Sequence, residues 1–252
     1  MRTLTEDLAE RMRAGGDGRS DIWRAFADRD LFSRVVAALA APYRGERYTK
    51  VAGVEARGFV LGGAMAAHTG AGFVAVRKQD GWLPGDLAER MREGGDGRSD
   101  IWRAFADREL FARVVAALAA PYRGERYTKV AGVEARGFVL GGAMAAHTGA
   151  GFVAVRKAEG WLPGELAEAV TGPDWQGHTH ALRIQRDALG PEDRVVLVDD
   201  WFETGAQALA ARQLIESTGA TLVGMSIVVD DLSDEAREGL GRLHALLRAD
   251  AL

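Results

Sequence analysis

One stretch of the chain occurs twice, almost without change. Residues 7–85 match residues 86–164 at an offset of 79 positions, and only five positions differ. These are Ala14/Glu93, Asp30/Glu109, Ser33/Ala112, Gln79/Ala158 and Asp80/Glu159. Repeat arrays usually have diverged units with periods of about 20–50 residues, so a single near-identical repeat of this length indicates a duplication. We call residues 7–85 copy one, residues 86–164 copy two, and residues 165–252, which occur once, the tail.

The seam of the repeat suggests how it arose. The tripeptide Leu-Ala-Glu stands near the start of copy one, again at the start of copy two, and again where the tail begins. We infer that a parent chain with one copy was recombined across this shared segment. The parent would be about as long as residues 86–252, a length typical of one domain. We therefore predict an extra, incomplete unit over residues 1–85 and a complete domain over 86–252.

Composition limits the classes of protein that need considering. Hydrophobic residues make up 47% of the chain, enough for a sizeable core, and the formal net charge of −4 comes with no run of lysine or arginine. Nucleic acid and membranes are therefore not expected partners. Cysteine is absent, which excludes disulfides and thiolate metal sites. The N-terminal residues lack the apolar core of a signal peptide, and we expect a cytoplasmic protein.

The order of apolar segments predicts an α/β fold. Residues 107–119 are apolar at helical spacing, 128–133 form a short buried-strand pattern, and a helix ending at Gly149 leads into the strand pattern FVAVRK. The tail continues with the strand pattern VVLVDDW, a helix, another strand and a last helix opened by Ser233. Such alternation favours a mostly parallel sheet with helices on both faces, and ligands bind at the carboxyl ends of its strands.

The most specific segment is VVLVDDWFETGAQA, residues 195–208. An apolar strand carries Asp199 and Asp200 to its carboxyl end, and Thr204-Gly205 lead directly into a helix. Free amides at a helix start bind phosphate, and paired carboxylates beside them suit a diol or a cation. A sugar phosphate meets both demands. The alternative is that the two acids only end a strand and cap a turn.

This segment resembles the hallmark of the type I phosphoribosyltransferases. The resemblance implies that Asp199 and Asp200 bind the ribose hydroxyls of phosphoribosyl pyrophosphate. The turn that would bind its 5′-phosphate consists of Glu203, Thr204, Gly205, Ala206 and Gln207. Upstream, VAGVEARGFVLG at 130–141 resembles the pyrophosphate loop of adenine phosphoribosyltransferases, with Glu134, Ala135 and Arg136 on the loop. FVAVRK followed by GWLPG, and LRIQRDAL, resemble further segments of the same enzymes.

Two departures from that pattern leave the base open. The adenine enzymes carry Glu-Tyr-Gly in the mobile loop, where this chain has Gln176-Gly177-His178, and a small residue where Glu203 stands. An acid at that position is similar to the hypoxanthine-guanine enzymes, but the lysine with which those enzymes read a 6-oxo group is missing from TLVGMSIVV. A purine-like base is the prediction.

The resemblance also implies a mechanism with Mg²⁺ as cofactor and no metal site made by the protein alone. Arg136 and Lys157, with Arg156 as a further binding residue, would stabilise the leaving pyrophosphate, and Glu203 would exchange a proton with the base. The polar stretch 158–181 is long for an unstructured connection, and we predict that it is a mobile loop that closes the site. His178 and His180 within it are interpreted as solvated loop residues.

Copy one carries Glu55, Arg57 and Lys78 but no acid pair, so it holds half a site. The connection to Leu182 is 25 residues from Lys157 and 104 residues from Lys78. The longer loop costs about 1.2 kcal/mol more closure entropy, so we expect the tail to pair with copy two. Copy one would then pack on the main domain, imitate a partner subunit, or swap into another chain, and a homodimer or swapped oligomer is predicted.

Three alternatives remain from sequence alone. The same fold serves in some proteins as a regulatory module that binds the sugar pyrophosphate without turnover. The duplication would alternatively have inactivated the chain. A phospho-acceptor receiver domain also carries paired acids at a strand end, but it places them on its first strand and lacks the following Thr-Gly.

Overall fold

The computed structural model describes residues 2–13, 21–77, 101–174 and 176–251. Copy one forms helices α1 (Leu4–Arg11), α2 (Ile22–Ala27), α3 (Arg29–Ala40) and α4 (Arg57–Thr69), with strands β1 (Lys50–Val54) and β2 (Gly72–Val76). Copy two forms helices α5 (Ile101–Ala106), α6 (Arg108–Ala119) and α7 (Arg136–Thr148), with strands β3 (Lys129–Val133) and β4 (Gly151–Lys157). The tail forms β5 (Leu166–Val170), β6 (Ala181–Gln185), β7 (Arg194–Phe202), α8 (Ala206–Ser217), β8 (Thr221–Asp230), α9 (Asp234–Leu240) and β9 (Leu243–Arg248).

The main sheet has seven strands in the order β5-β6-β4-β3-β7-β8-β9. Strands β4, β3, β7, β8 and β9 are mutually parallel, whereas β5 and β6 pair antiparallel at one edge. The predicted α/β class is confirmed. Copy two and the tail build this sheet together, because β3 pairs with β7 along the register Lys129↔Val195 to Gly132↔Val198. The tail has therefore joined the nearer copy, as the loop lengths predicted.

Local sequence explains where the predicted helices begin. Asp107 caps α6, since its Oδ1 accepts hydrogen bonds from the amides of Glu109 and Leu110, and Ser233 caps α9 through its hydroxyl. The stretch 158–181 differs from the prediction, since it is not an unstructured connection: it contains β5, which pairs with β6. Strand β9 was not predicted.

Among the described residues, no helix combines the length and apolar character needed to cross a bilayer.

Copy one keeps the local structure of its twin but lacks the cover that the tail provides. Its strands β1 and β2 form a separate two-stranded parallel sheet. Val54 at the end of β1 is 55% exposed, whereas its counterpart Val133 is 1% exposed. Tyr43 is likewise 52% exposed while Tyr122, its counterpart, is fully buried. Identical residues thus differ in burial only because one of the two copies is paired with the tail.

The two copies pack on each other through α4 and α7, with reciprocal contacts. A Cβ added at Gly63 would lie 2.4 Å from the carbonyl oxygen of Val139, and one added at Gly142 would lie 2.5 Å from that of Val60. Gly142 and Val139 are the counterparts of Gly63 and Val60, so each helix makes the same contact with the other, as in a two-fold symmetric interface. Of the three fates considered for copy one, the structure shows packing on the main domain with the symmetry of a partner subunit.

Candidate active site

A cavity of about 650 Å³ opens at the carboxyl ends of β3, β4 and β7. All twelve residues predicted for the site line this cavity: Glu134, Ala135, Arg136, Arg156, Lys157, Asp199, Asp200, Glu203, Thr204, Gly205, Ala206 and Gln207. The parallel sheet explains their convergence, since the carboxyl ends of its strands lie at one edge. Segments up to 73 positions apart in the sequence therefore share one pocket.

The acid pair at the end of β7 is almost buried, with Asp199 at 7% and Asp200 at 5% exposure. The amide of Asp200 donates a hydrogen bond to Oδ1 of Asp199 at 2.9 Å. Burial raises the pKa of the Asp199 carboxyl well above its usual range, and the Asp200 carboxylate beside it raises that pKa further. Two carboxyl groups that are this close together and this well buried favour a hydroxyl-bearing or cationic ligand.

Arg136 begins helix α7 and faces this pair. Its Nη1 lies 2.8 Å from Oδ2 of Asp200, although the contact lacks hydrogen-bond geometry and Oδ2 has no hydrogen-bond partner. The next residue, Gly137, makes the approach possible, because a Cβ there would lie 2.9 Å from Oδ1 of Asp199. The Arg-Gly dipeptide thus brings a guanidinium, 44% exposed, to the edge of the acid pair.

The turn after the acids leads directly into helix α8. Gly205 is the N-cap with φ +75°, and no side chain caps the helix at this position. The amide of Ala206 donates to the hydroxyl of Thr204 at 3.3 Å. The first amides of a helix have no partner within the helix and carry its positive dipole end, and residues 204–208 all line the cavity. This is the arrangement expected of a phosphate-binding turn.

Glu134 and Arg156 form a partly buried ion pair on the cavity wall. Oε1 and Oε2 of Glu134 accept hydrogen bonds from Nη2 of Arg156 at 2.5 Å and from its Nε at 3.0 Å. The remaining guanidinium nitrogen donates to the carbonyl oxygen of Trp161 at 2.8 Å. Arg156 therefore frames the loop that carries Ala135 and Arg136, and its charge is already neutralised by Glu134.

Several residues of the cavity wall were not predicted. Thr171, Asp174 and His180 reach it from either side of the turn between β5 and β6, and Glu55 and Arg77 reach it from copy one. His180 Nε2 lies 3.1 Å from Oδ2 of Asp174, and this contact lowers the pKa of the Asp174 carboxyl. His180 is thus a partly buried residue of the cavity wall, which corrects the interpretation of this histidine as a solvated loop residue. The sequence signal for the residues around this turn is a strand pattern at 166–170, which is weak.

The described residues contain no group of three or more histidine, aspartate or glutamate side chains arranged to hold a metal ion. The acid pair offers two neighbouring carboxylates in the cavity. A metal at this site would therefore need further ligands from a bound substrate.

Comparisons with known proteins agree with this geometry. No family model matches the chain. The adenine phosphoribosyltransferase of Cereibacter sphaeroides is 40% identical over 157 residues, which cover 61% of this chain and 86% of the relative. The crystal structure of the Rhodothermus marinus adenine phosphoribosyltransferase is similar with a TM-score of 0.54 and 34% identity, over 59% of this chain and 85% of that one. The Giardia lamblia enzyme, solved with 9-deazaadenine, gives a TM-score of 0.55 and 32% identity, over 59% and 84%.

A sheet of this order with an acid pair, a helix-start turn and an Arg-Gly loop at one edge defines a type I phosphoribosyltransferase. Within that class, the chain belongs to the adenine phosphoribosyltransferase family. It is a phosphoribosyltransferase of the purine salvage type, which transfers ribose 5-phosphate from phosphoribosyl pyrophosphate to a purine base. The regulatory, inactivated and receiver alternatives are less well supported than this activity.

Proposed function

We propose that copy two and the tail together form one competent active site, and that adenine is the base it accepts. The observation that carries the proposal is the convergence of the acid pair, the helix-start turn and Arg136 in a single cavity. Adenine is supported by the names of the relatives and by the base analogue in the Giardia lamblia structure. The family resemblance supports phosphoribosyl pyrophosphate as the donor.

Different residues of the site bind the ribose, the 5′-phosphate and the diphosphate of the substrate. Asp199 and Asp200 accept hydrogen bonds from the ribose hydroxyls and stabilise the positive charge that develops on the sugar. The first amides of α8 and the hydroxyl of Thr204 bind the 5′-phosphate. Arg136 and Lys157 face the diphosphate, and stabilising it as it leaves lowers the barrier by several kcal/mol.

The acid pair also suits Mg²⁺. Asp200 Oδ2 is buried without a hydrogen-bond partner, and Mg²⁺ prefers carboxylate, phosphate and water oxygens. Asp199 and Asp200 would hold the ion together with the substrate, and bound Mg²⁺ supplies charge neutralisation of the diphosphate. The chain's own contribution is to orient these carboxylates and to exclude water around them.

Glu203 lies on the cavity wall between the acid pair and the phosphate turn. A carboxylate there is placed to exchange a proton with the incoming base, a contribution of about 10² to 10⁴ in rate. The turn between β5 and β6, with Asp174 and His180, lies over the same opening and is suited to exclude water, which would otherwise compete as the nucleophile.

The test is formation of nucleotide from phosphoribosyl pyrophosphate, Mg²⁺ and a base by the full chain. We expect AMP and pyrophosphate in equal amounts with adenine, and much slower reaction with hypoxanthine or guanine. Binding of phosphoribosyl pyrophosphate in calorimetry with no turnover on any base would instead identify a regulatory module. A preference for a 6-oxopurine would contradict the assignment of adenine.

A further inference from the structure

Helix α2 of copy one packs on α3 of its own copy and also reaches across to copy two. Trp23 in α2 contacts Phe138 of copy two edge-on, with ring centroids 5.7 Å apart. Lys129 of copy two donates to the carbonyl oxygen of Ala27 at the end of α2, at 2.6 Å. The counterparts do the reverse: Trp102 of copy two contacts Phe59 of copy one at 5.8 Å. Helices α2 and α5 therefore reach across reciprocally, and the two copies exchange these helix contacts.

The exchange places Trp23 of α2 against Arg156, at the edge of the complete site. Trp23 also borders the neighbouring cavity of copy one, which Glu55 and Arg57 line. Cζ of Arg156 lies 5.6 Å from the ring centroid of Trp23, which is only 4% exposed. Arg156 is the residue that holds Glu134 and so frames the pyrophosphate loop. An aromatic face favours a guanidinium beside it electrostatically, so Trp23 restricts where Arg156, and through it Glu134, can lie.

Polar contacts anchor the same helix to the tail. Asp21, the N-cap of α2, is 2% exposed, and its Oδ2 accepts a hydrogen bond from Nε2 of Gln185 at 2.6 Å. Gln185 is itself 3% exposed and also donates to the carbonyl oxygen of Pro163 at 3.0 Å. Arg24 forms an ion pair with Asp187. Because buried polar groups need specific partners, these contacts fix α2 in one orientation over β4 and β6.

We propose that helix α2 of copy one is a built-in positioning element for the active site of copy two and the tail, acting through Trp23 on Arg156 and Glu134. The duplicated segment then has a function in this chain, because it supplies a helix that packs against Arg156 at the edge of the competent site. This inference rests on the proposed function only for its effect on catalysis. The placement of α2 stands on the contacts alone.

Placement is tested in the full chain without any activity, because the chain has no cysteine of its own. The Arg24→Cys/Asp187→Cys variant, at the ion pair between α2 and the tail, is treated with a short bismaleimide and compared with Arg103→Cys/Asp187→Cys, which uses the identical residue of copy two. We expect an intramolecular cross-link in the first variant only, detected by mass spectrometry of peptides. Cross-linking confined to the Arg103 variant, equal in both variants, or absent from both contradicts the exchange.

The positioning role is tested by kinetics on Trp23→Leu and Trp23→Phe. We expect Trp23→Leu to lower kcat/KM for phosphoribosyl pyrophosphate about tenfold, through KM, while KM for adenine stays within about twofold. Trp23→Phe, which keeps an aromatic face, should remain within about threefold of the original chain. A lower Tm for Trp23→Leu with unchanged kinetic constants would show a purely structural helix. Absence of turnover in the unsubstituted chain would count against the proposed function and leave the cross-linking result standing.

Discussion

Arg136 of copy two and Asp200 of the tail lie 2.8 Å apart between Nη1 and Oδ2. Sixty-four positions separate them in the sequence, and the contact joins the loop assigned to the diphosphate with the acids assigned to the ribose. It is also the contact that distinguishes copy two from copy one, where Arg57 has no acid pair to face. The repeat consequently provides a matched control for most substitutions in the site.

The first prediction compares these two arginines. Arg136→Ala should lower kcat/KM for phosphoribosyl pyrophosphate by about 10²- to 10³-fold, since it removes a charge aimed at the leaving group. Arg57→Ala should leave kcat/KM within about twofold. Steady-state kinetics on both variants checks this, and equal losses would mean that copy one takes part in chemistry directly.

The second prediction concerns the pH dependence of stability. Because the pKa of Asp199 is raised in the folded chain, the stability associated with this acid is full below its unfolded pKa and is lost as pH rises through the folded value. Asp199→Asn should therefore raise Tm at pH 7–8, by about 2–4 °C for each kcal/mol gained. The gain should vanish near pH 3–4, where the unfolded carboxyl is also protonated.

Differential scanning fluorimetry across pH, without substrate, measures this effect, and the variant should be inactive. A Tm that falls at neutral pH would show that the ionised Asp199 stabilises the fold, contrary to the direction assigned.

The third prediction uses the glycine that follows each arginine. A methyl group at Gly137 would lie 2.9 Å from Oδ1 of Asp199 and 3.0 Å from the carbonyl oxygen of Val198, whereas one at Gly58 meets nothing closer than 3.3 Å. Gly137→Ala should cost about 1–3 kcal/mol of unfolding free energy, as overpacking does, and should also displace Arg136 and reduce activity. Gly58→Ala should be nearly neutral in urea denaturation. Similar losses of unfolding free energy in Gly137→Ala and Gly58→Ala would mean that Val198 and Asp199 of the tail do not pack tightly against α7.

The fourth prediction concerns the open edge of copy one. Val54→Lys should be tolerated and should reduce aggregation at high concentration. Val54 is 55% exposed on β1, which among the described strands pairs only with β2, and charged residues protect such open edges. Val133→Lys places the same side chain at a position with 1% exposure and should prevent folding. Light scattering and circular dichroism on the two variants measure both effects. Unfolding by Val54→Lys would show that this edge is covered in solution.

The fifth prediction concerns a tyrosine that the tail covers. The hydroxyl of Tyr122 donates to the carbonyl oxygen of Met225 at 2.6 Å, and burial raises the pKa of this tyrosine to about 12. Tyr122→Phe should cost about 1 kcal/mol, because the carbonyl loses its partner, whereas Tyr43→Phe should cost nothing measurable. Chemical denaturation at neutral pH measures the free energy of unfolding of both variants. Equal losses for Tyr122→Phe and Tyr43→Phe would contradict the difference in burial between the two tyrosines.

Much of the fold and site could be predicted from local patterns. The alternation of helix and strand patterns predicted a parallel sheet, and parallel strands necessarily bring their carboxyl ends to one edge. Asp199, Thr204 and Arg136 were recognisable because their motifs are short and contiguous. The pairing of the tail with copy two followed from loop length, which is also a property of the sequence.

The rest was decided by contacts between segments that are distant in the sequence. Trp23 and Trp102 lie in the same local sequence, yet Trp23 packs beside Arg156 of copy two, whereas Trp102 packs beside Phe59 of copy one and lines the active-site cavity. Val54 and Val133 likewise have identical sequence neighbours, but the tail buries Val133 and leaves Val54 exposed. The sequence by itself determined the elements and their chemistry, because these depend on neighbouring residues. Only the tertiary structure decided which helix of one copy packs on the other copy, because burial depends on the partners that the whole fold brings into contact.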